Sequence, residues 1–112
     1  MSDLVKMVSS ADFEALVAQI NRDVTLAGID SDTFNNVTTP EELISRLQNF
    51  IDVLVSNYQE SFSNFMYRVD VPEKEINAIN KGEMTHLIDE ITYFVLKREM
   101  QKVYFRKKFS DS

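Results

Sequence analysis

The chain has no cysteine and no tryptophan, and only two glycines, two prolines and one histidine among its 112 residues. Without cysteine there is no disulfide framework, no thiolate zinc site and no thiol nucleophile. So few glycines and prolines leave too few turns for an all-β fold. A lone histidine, His86, leaves room for one histidine-based catalytic site at most, and no glycine-rich phosphate loop is present. No apolar run reaches the length of a membrane span, and residues 1–8 lack the apolar core of a signal peptide. The Asn36-Val37-Thr38 sequon is therefore read as a chance match. These absences point to a cytoplasmic protein with no cofactor and no enzymatic role.

What is present is helical periodicity. Thr39-Pro40-Glu41-Glu42 combines an N-cap, a proline suited to the first helical position and a capping-box carboxylate. After it, Leu43, Ile44, Leu47, Phe50, Ile51, Leu54, Val55, Tyr58, Phe62, Phe65, Met66 and Val69 project onto one face. That spacing predicts one helix over 40–68, about 43 Å long at 1.5 Å per residue. The serines and asparagine in 57–63 mark the place where it would break. So wide a face needs at least two neighbours to cover it.

The other segments supply them. Ser10 is read as the cap of a helix carrying Phe13, Leu16, Val17, Ile20, Val24 and Ala27, ended by Gly28. Residues 29–38 form a polar loop that Phe34 and Val37 tuck onto the core, and Asp30-Ser31-Asp32 lacks the rest of a calcium-loop pattern. Asp70 and Glu73, with Pro72, have the spacing of a capped short helix holding Ile76 and Ile79, stopped by Asn80-Lys81-Gly82. A last helix starts near Glu83 and runs to about Lys108. The expected fold is all-α, an antiparallel helical bundle of three main helices plus one short helix. It forms a single domain over 1–112, with 1–9 and 109–112 frayed.

Tyr67-Arg68-Val69-Asp70-Val71-Pro72-Glu73, followed by Arg98-Glu99-Met100-Gln101-Lys102-Val103, resembles a pattern in small uncharacterised bacterial all-helical proteins. The resemblance covers the C-terminal half, implies a bacterial cytoplasmic protein, and brings no assigned activity.

Glu83 and His86 have the Glu-x-x-His spacing of di-iron bundles, but a complete site needs a second such pair and two more inward carboxylates. With Glu90 they fall beside the apolar stripe, as a solvated first turn does, so no metal is expected. Charge is more informative. Residues 1–96 carry 6 basic and 16 acidic side chains, and residues 97–112 carry 6 basic and 2 acidic. An acidic body ends in a basic tail.

The last helix also carries two apolar stripes. Met84, Leu87, Ile88, Ile91, Phe94 and Val95 share one face, which continues as Arg98, Lys102, Phe105 and Phe109. Leu96, Met100, Val103 and Tyr104 build a second stripe about 150° away. With no visible intramolecular taker, that stripe is the expected partner-binding surface. Leu96, Met100, Val103 and Tyr104 would be in contact, and Arg98 and Lys102 would pair with acidic groups. The partner would be a second copy, giving a homo-oligomer, or another protein. The alternative is a nucleic-acid-binding accessory protein using Arg106, Lys107 and Lys108 interleaved with aromatics.

Overall fold

The computed structural model describes residues 2–30, 32–79 and 82–110, with the side chains of Ser2 and Ser110 left aside. It is all-helical among those residues. The elements are α1 (Ser2–Ser9), α2 (Phe13–Leu26), α3 (Pro40–Asn57), α4 (Gln59–Val69), α5 (Glu73–Asn77) and α6 (Met84–Ser110). No helix is long and apolar enough to cross a membrane.

Local chemistry accounts for most boundaries. The Thr39 hydroxyl accepts from the Glu42 amide at 3.1 Å, and the Glu42 carboxylate accepts from the Thr38 amide at 2.9 Å. The box thus closes on the residue before the cap. At the end of α2, Gly28 takes a left-handed φ of 80°. The Ile29 amide donates to Val24 O and the Gly28 amide to Thr25 O, the paired bonds of a Schellman stop.

Four expectations need correction. Residues 1–9 do not fray where described: Ser2–Ser9 is a helix that sinks Val8 fully into the core. The cap of α2 is Asp12, whose carboxylate accepts from the Ala15 amide; Ser10 instead donates its hydroxyl to Met7 O at the end of α1. Asp70 is no N-cap. It is the left-handed residue that ends α4, at φ 67° and ψ 50°. At the far end α6 stays helical through Ser110, so Phe109 lies within a helix. Asn80 and Lys81 of the proposed stop, Ser31, and residues 1, 111 and 112 lie outside the described residues.

The largest difference is at Tyr58. Its backbone leaves the helical region, at φ −137° and ψ 66°, and divides residues 40–69 into α3 and α4. In one straight helix Phe50 and Phe65 would stand about 22 Å apart. Here their ring centroids are 5.3 Å apart, edge to face. The break folds the wide apolar face back on itself, so that α4 covers part of what α3 exposes. Phe34, brought in by the α2–α3 loop, adds a second edge-to-face contact to Phe50 at 5.5 Å. Arg46 holds that loop down by donating to the carbonyls of Thr33 and Asn35.

α6 is the spine. Its 27 residues span about 40 Å, close to the molecule's longest extent of 43 Å. α1, α2, α3 and α4 all pack on it. Along α2, Asp12, Gln19 and Asp23 meet Lys107, Arg106 and Lys102 of α6. Numbers rise on one helix as they fall on the other, so the two run in opposite directions.

Candidate interaction surfaces along the last helix

The second stripe of α6 is not an open face. Leu96 is 0% exposed and Val103 6%, and Met100 is half-buried against the core. α1 and α2 both pack on α6. Of the expected contact residues only Tyr104 stands out, 59% exposed.

The two cations assigned to a partner are also engaged within the chain. Arg98 donates from Nε to Asp70 O at 3.0 Å, with Nη2 3.4 Å from the Asp70 carboxylate. Lys102 donates to Asp23 Oδ2 at 2.6 Å and to Arg68 O at 2.9 Å. The candidate nucleic-acid residues divide the same way. Arg106 donates to Gln19 Oε1, and Lys107 to Asp12 at 2.6 Å. Lys97 pairs with Glu75 at 2.9 Å. Lys108 lies 5.9 Å from the Tyr104 ring centroid and makes no ion pair among the described residues. The contrast between acidic body and basic tail is thus largely closed inside the fold. The Lys107 bond and the Ala15 amide hold the Asp12 carboxyl below the ordinary aspartate range.

Between α2 and α6 lies a buried polar seam that the sequence reading missed. Gln19, Asp23 and Glu99 are all buried. The Gln19 amide donates to Asp23 Oδ2 at 3.3 Å, and Lys102 Nζ lies 2.9 Å from Glu99 Oε1. Two buried carboxyls thus share one ammonium. Burial, followed by the neighbouring Asp23, pushes the Glu99 carboxyl up to about 9, against the pull of Lys102. At neutral pH Glu99 therefore carries a proton. A signal existed: Glu99 sits three residues after Leu96 and four before Val103, inside the second apolar stripe. The Thr92 hydroxyl, also fully buried, donates to Ile88 O one turn back at 2.7 Å.

Two open surfaces involve the last helix and bear on a partner. One is the end of α6, where Tyr104, Phe105 (46% exposed) and Phe109 (69%) cluster. Tyr104 and Phe105 meet edge to face at 5.5 Å, and Phe105 and Phe109 stack at 6.3 Å. Phe105 and Phe109 follow Leu87 and Ile91 by 18 residues, five full turns, and so lie on the same face of α6. Asp70 and Arg68 at the end of α4 cover that face as far as Lys102. Beyond Lys102, Phe105 and Phe109 on that face stand exposed, while α2 still meets α6 through Arg106 and Lys107.

The other surface is a groove of about 520 Å³ floored by Phe62, Met66, Val71, Ile76, Leu87 and Ile91. It is walled by α3, α4, α5 and α6, with α4 turned back at Tyr58. Tyr67, Asp70 and Glu73, all exposed, also line it.

Around His86, Glu90 is the nearest acid, at 3.3 Å, and both side chains are substantially exposed, as is Glu83. Among the described residues no three His, Asp or Glu side chains gather as a metal site. No protein-family model, curated protein or solved structure matches this chain.

Proposed function

We propose that this chain is a non-enzymatic helical interaction module that associates with copies of itself through the end of α6. Tyr104, Phe105 and Phe109 are the contact residues, in place of the buried Leu96 and Val103. The observation that carries this reading is a cluster of three exposed aromatic rings at the end of α6. Large aromatics combine high apolar area with few rotatable bonds, the mix favoured at interface centres. The frame beneath them is an antiparallel bundle with α2, α3 and α6 as its main helices and α5 as the short one. The opposed register of α2 and α6 supports that frame. The same proposal places the protein in the cytoplasm.

The competing use of this end, binding nucleic acid through Arg106, Lys107 and Lys108, has less support. Phosphate contacts need cations that can be given up to the ligand, and Arg106 and Lys107 are held by Gln19 and Asp12.

Sedimentation velocity from low micromolar to near-millimolar concentration tests the proposal. The expected result is concentration-dependent growth in mass, weakened about tenfold or more by Phe105→Asp and unchanged by Val53→Asp, an exposed apolar position on α3. A wild-type chain that sediments as a monomer throughout would sink it.

A further inference from the structure

The groove and the aromatic end of α6 are complementary in character, and they cannot meet within one molecule. Both lie on the same rigid helix. Phe105 is 14 residues beyond Ile91, the last α6 residue lining the groove, which places it about 21 Å away along the axis. Whatever aromatic end fills this groove must come from another copy.

We infer that the groove lined by α3, α4, α5 and α6 receives the C-terminal aromatic end of α6 from a second copy of this chain. The inference rests on the self-association proposed above and names the surface that the aromatic end meets.

Three observations favour it over the simpler alternative, in which two aromatic ends pack on one another. The first is charge. Lys108 lies beside Tyr104 at the aromatic end, so two such ends would bring like charges together. The groove instead carries Asp70 and Glu73 at exposed positions. Lys108 makes no ion pair among the described residues, and neither does Glu73. An end-to-groove contact matches positive to negative, and like-charge juxtaposition is what suppresses the end-to-end mode.

The second is chemistry. The groove floor is apolar, with two aromatic rings, Phe62 and Tyr67, beside Met66. A phenyl ring packs well against such walls, edge to face or against thioether sulfur. At about 520 Å³ the groove has room for more than one ring.

The third is symmetry of roles. Each copy carries one donor surface and one acceptor surface, at opposite ends of its spine. The contact joins unlike patches, so each copy can engage one partner at each end.

The test is complementation between two defective copies, read by sedimentation or light scattering. Phe105→Asp disables the aromatic end and leaves the groove intact. Ser63→Trp fills the groove from an exposed position on α4 and leaves the aromatic end intact. Each variant alone should associate at least about tenfold more weakly than wild type. Mixed in equal amounts, they should form a one-to-one pair, because one intact end still finds one intact groove. Glu73→Arg, at an exposed rim position, repeats the groove arm without adding bulk, and helical circular dichroism confirms that each variant is folded.

If Phe105→Asp abolishes association while Ser63→Trp and Glu73→Arg do not, the aromatic end is a contact but the groove is not its receiver, and the inference falls alone. If the mixture stays monomeric although each single variant is folded and defective, an intact end does not find an intact groove and the inference again falls. A monomeric wild-type chain overturns this inference and the self-association reading together.

Discussion

Two seams hold α6-centred packing together, and they are built from opposite materials. On one side, Phe34, Phe50 and Phe65 lock the α2–α3 loop, α3 and α4 through edge-to-face contacts with no polar atom among the rings. On the other, α2 meets α6 through Gln19, Asp23, Glu99, Lys102 and Arg106. The aromatic seam gains stability roughly with the area it buries and tolerates small slips. The polar seam has little net stability to offer, since desolvation offsets most of the attraction. Its bonds close at only one register, and a slip of one residue would leave buried charge unpaired. The first seam keeps the protein folded, and the second fixes how α2 lies along α6.

Substitutions can break or sharpen that contrast. The largest effect is expected at Phe65, fully buried and in contact with Phe50: Phe65→Ala should lower the unfolding free energy by about 3–5 kcal/mol in urea titration. A value below ~1 kcal/mol would mean that α4 is not docked as described. Next is Lys102→Met, which strands the Asp23 carboxylate with only the Gln19 amide. We expect a loss of about 3 kcal/mol in urea titration. A loss below about 1 kcal/mol would mean that this ammonium does not close the seam.

Glu99→Gln tests the same seam with the opposite sign. Glu99 is held near pKa 9 when folded against 4.5 as the ordinary value. Between those values the folded state keeps a proton that the unfolded state releases, so raising pH across this window destabilises the wild type. Gln keeps the shape without the titration. The variant should be more stable than wild type by about 1–3 kcal/mol at pH 8 and should lose the downward slope. Parallel pH profiles for the two proteins would show that Glu99 is ionised throughout.

Smaller still is Thr39→Ala, which removes the cap of α3 and should cost about 1 kcal/mol. Least of all is Lys107→Met, which opens the exposed bond to Asp12. The Asp12 carboxyl lies below its ordinary value, so the contribution is present at neutral pH and is lost as acid protonates that group. Added salt should erase the difference from wild type in thermal melts.

The polar seam and the groove were both hidden from sequence, for different reasons. Gln19, Asp23 and Glu99 are spaced like ordinary polar positions on their helices, and nothing in one helix shows which face a second helix will cover. Glu99 left a faint mark by interrupting the Leu96–Val103 stripe, but an interrupting carboxylate reads equally as a boundary. The groove depends on the backbone turn at Tyr58. Periodicity holds its phase straight through that point, because Tyr58, Phe62 and Phe65 continue the apolar spacing of α3. The polar residues of 57–63 marked the weak place but not the direction of the fold-back.

The one-dimensional pattern determined that this chain is helical, where α2 stops and α3 starts, and that Leu43, Ile44, Leu47 and Ile51 belong to the core, since those follow from spacing, capping chemistry and burial preference along a single helix. Only the tertiary structure decided that Leu96 and Val103 of the second stripe are buried, that five cations of the tail bond to the body, and that Tyr104, Phe105 and Phe109 stand exposed at the end of α6. Each of these depends on the relative position of residues distant in sequence, as with Lys102 and Asp23, and burial is decided by what lies opposite a face rather than by the face itself.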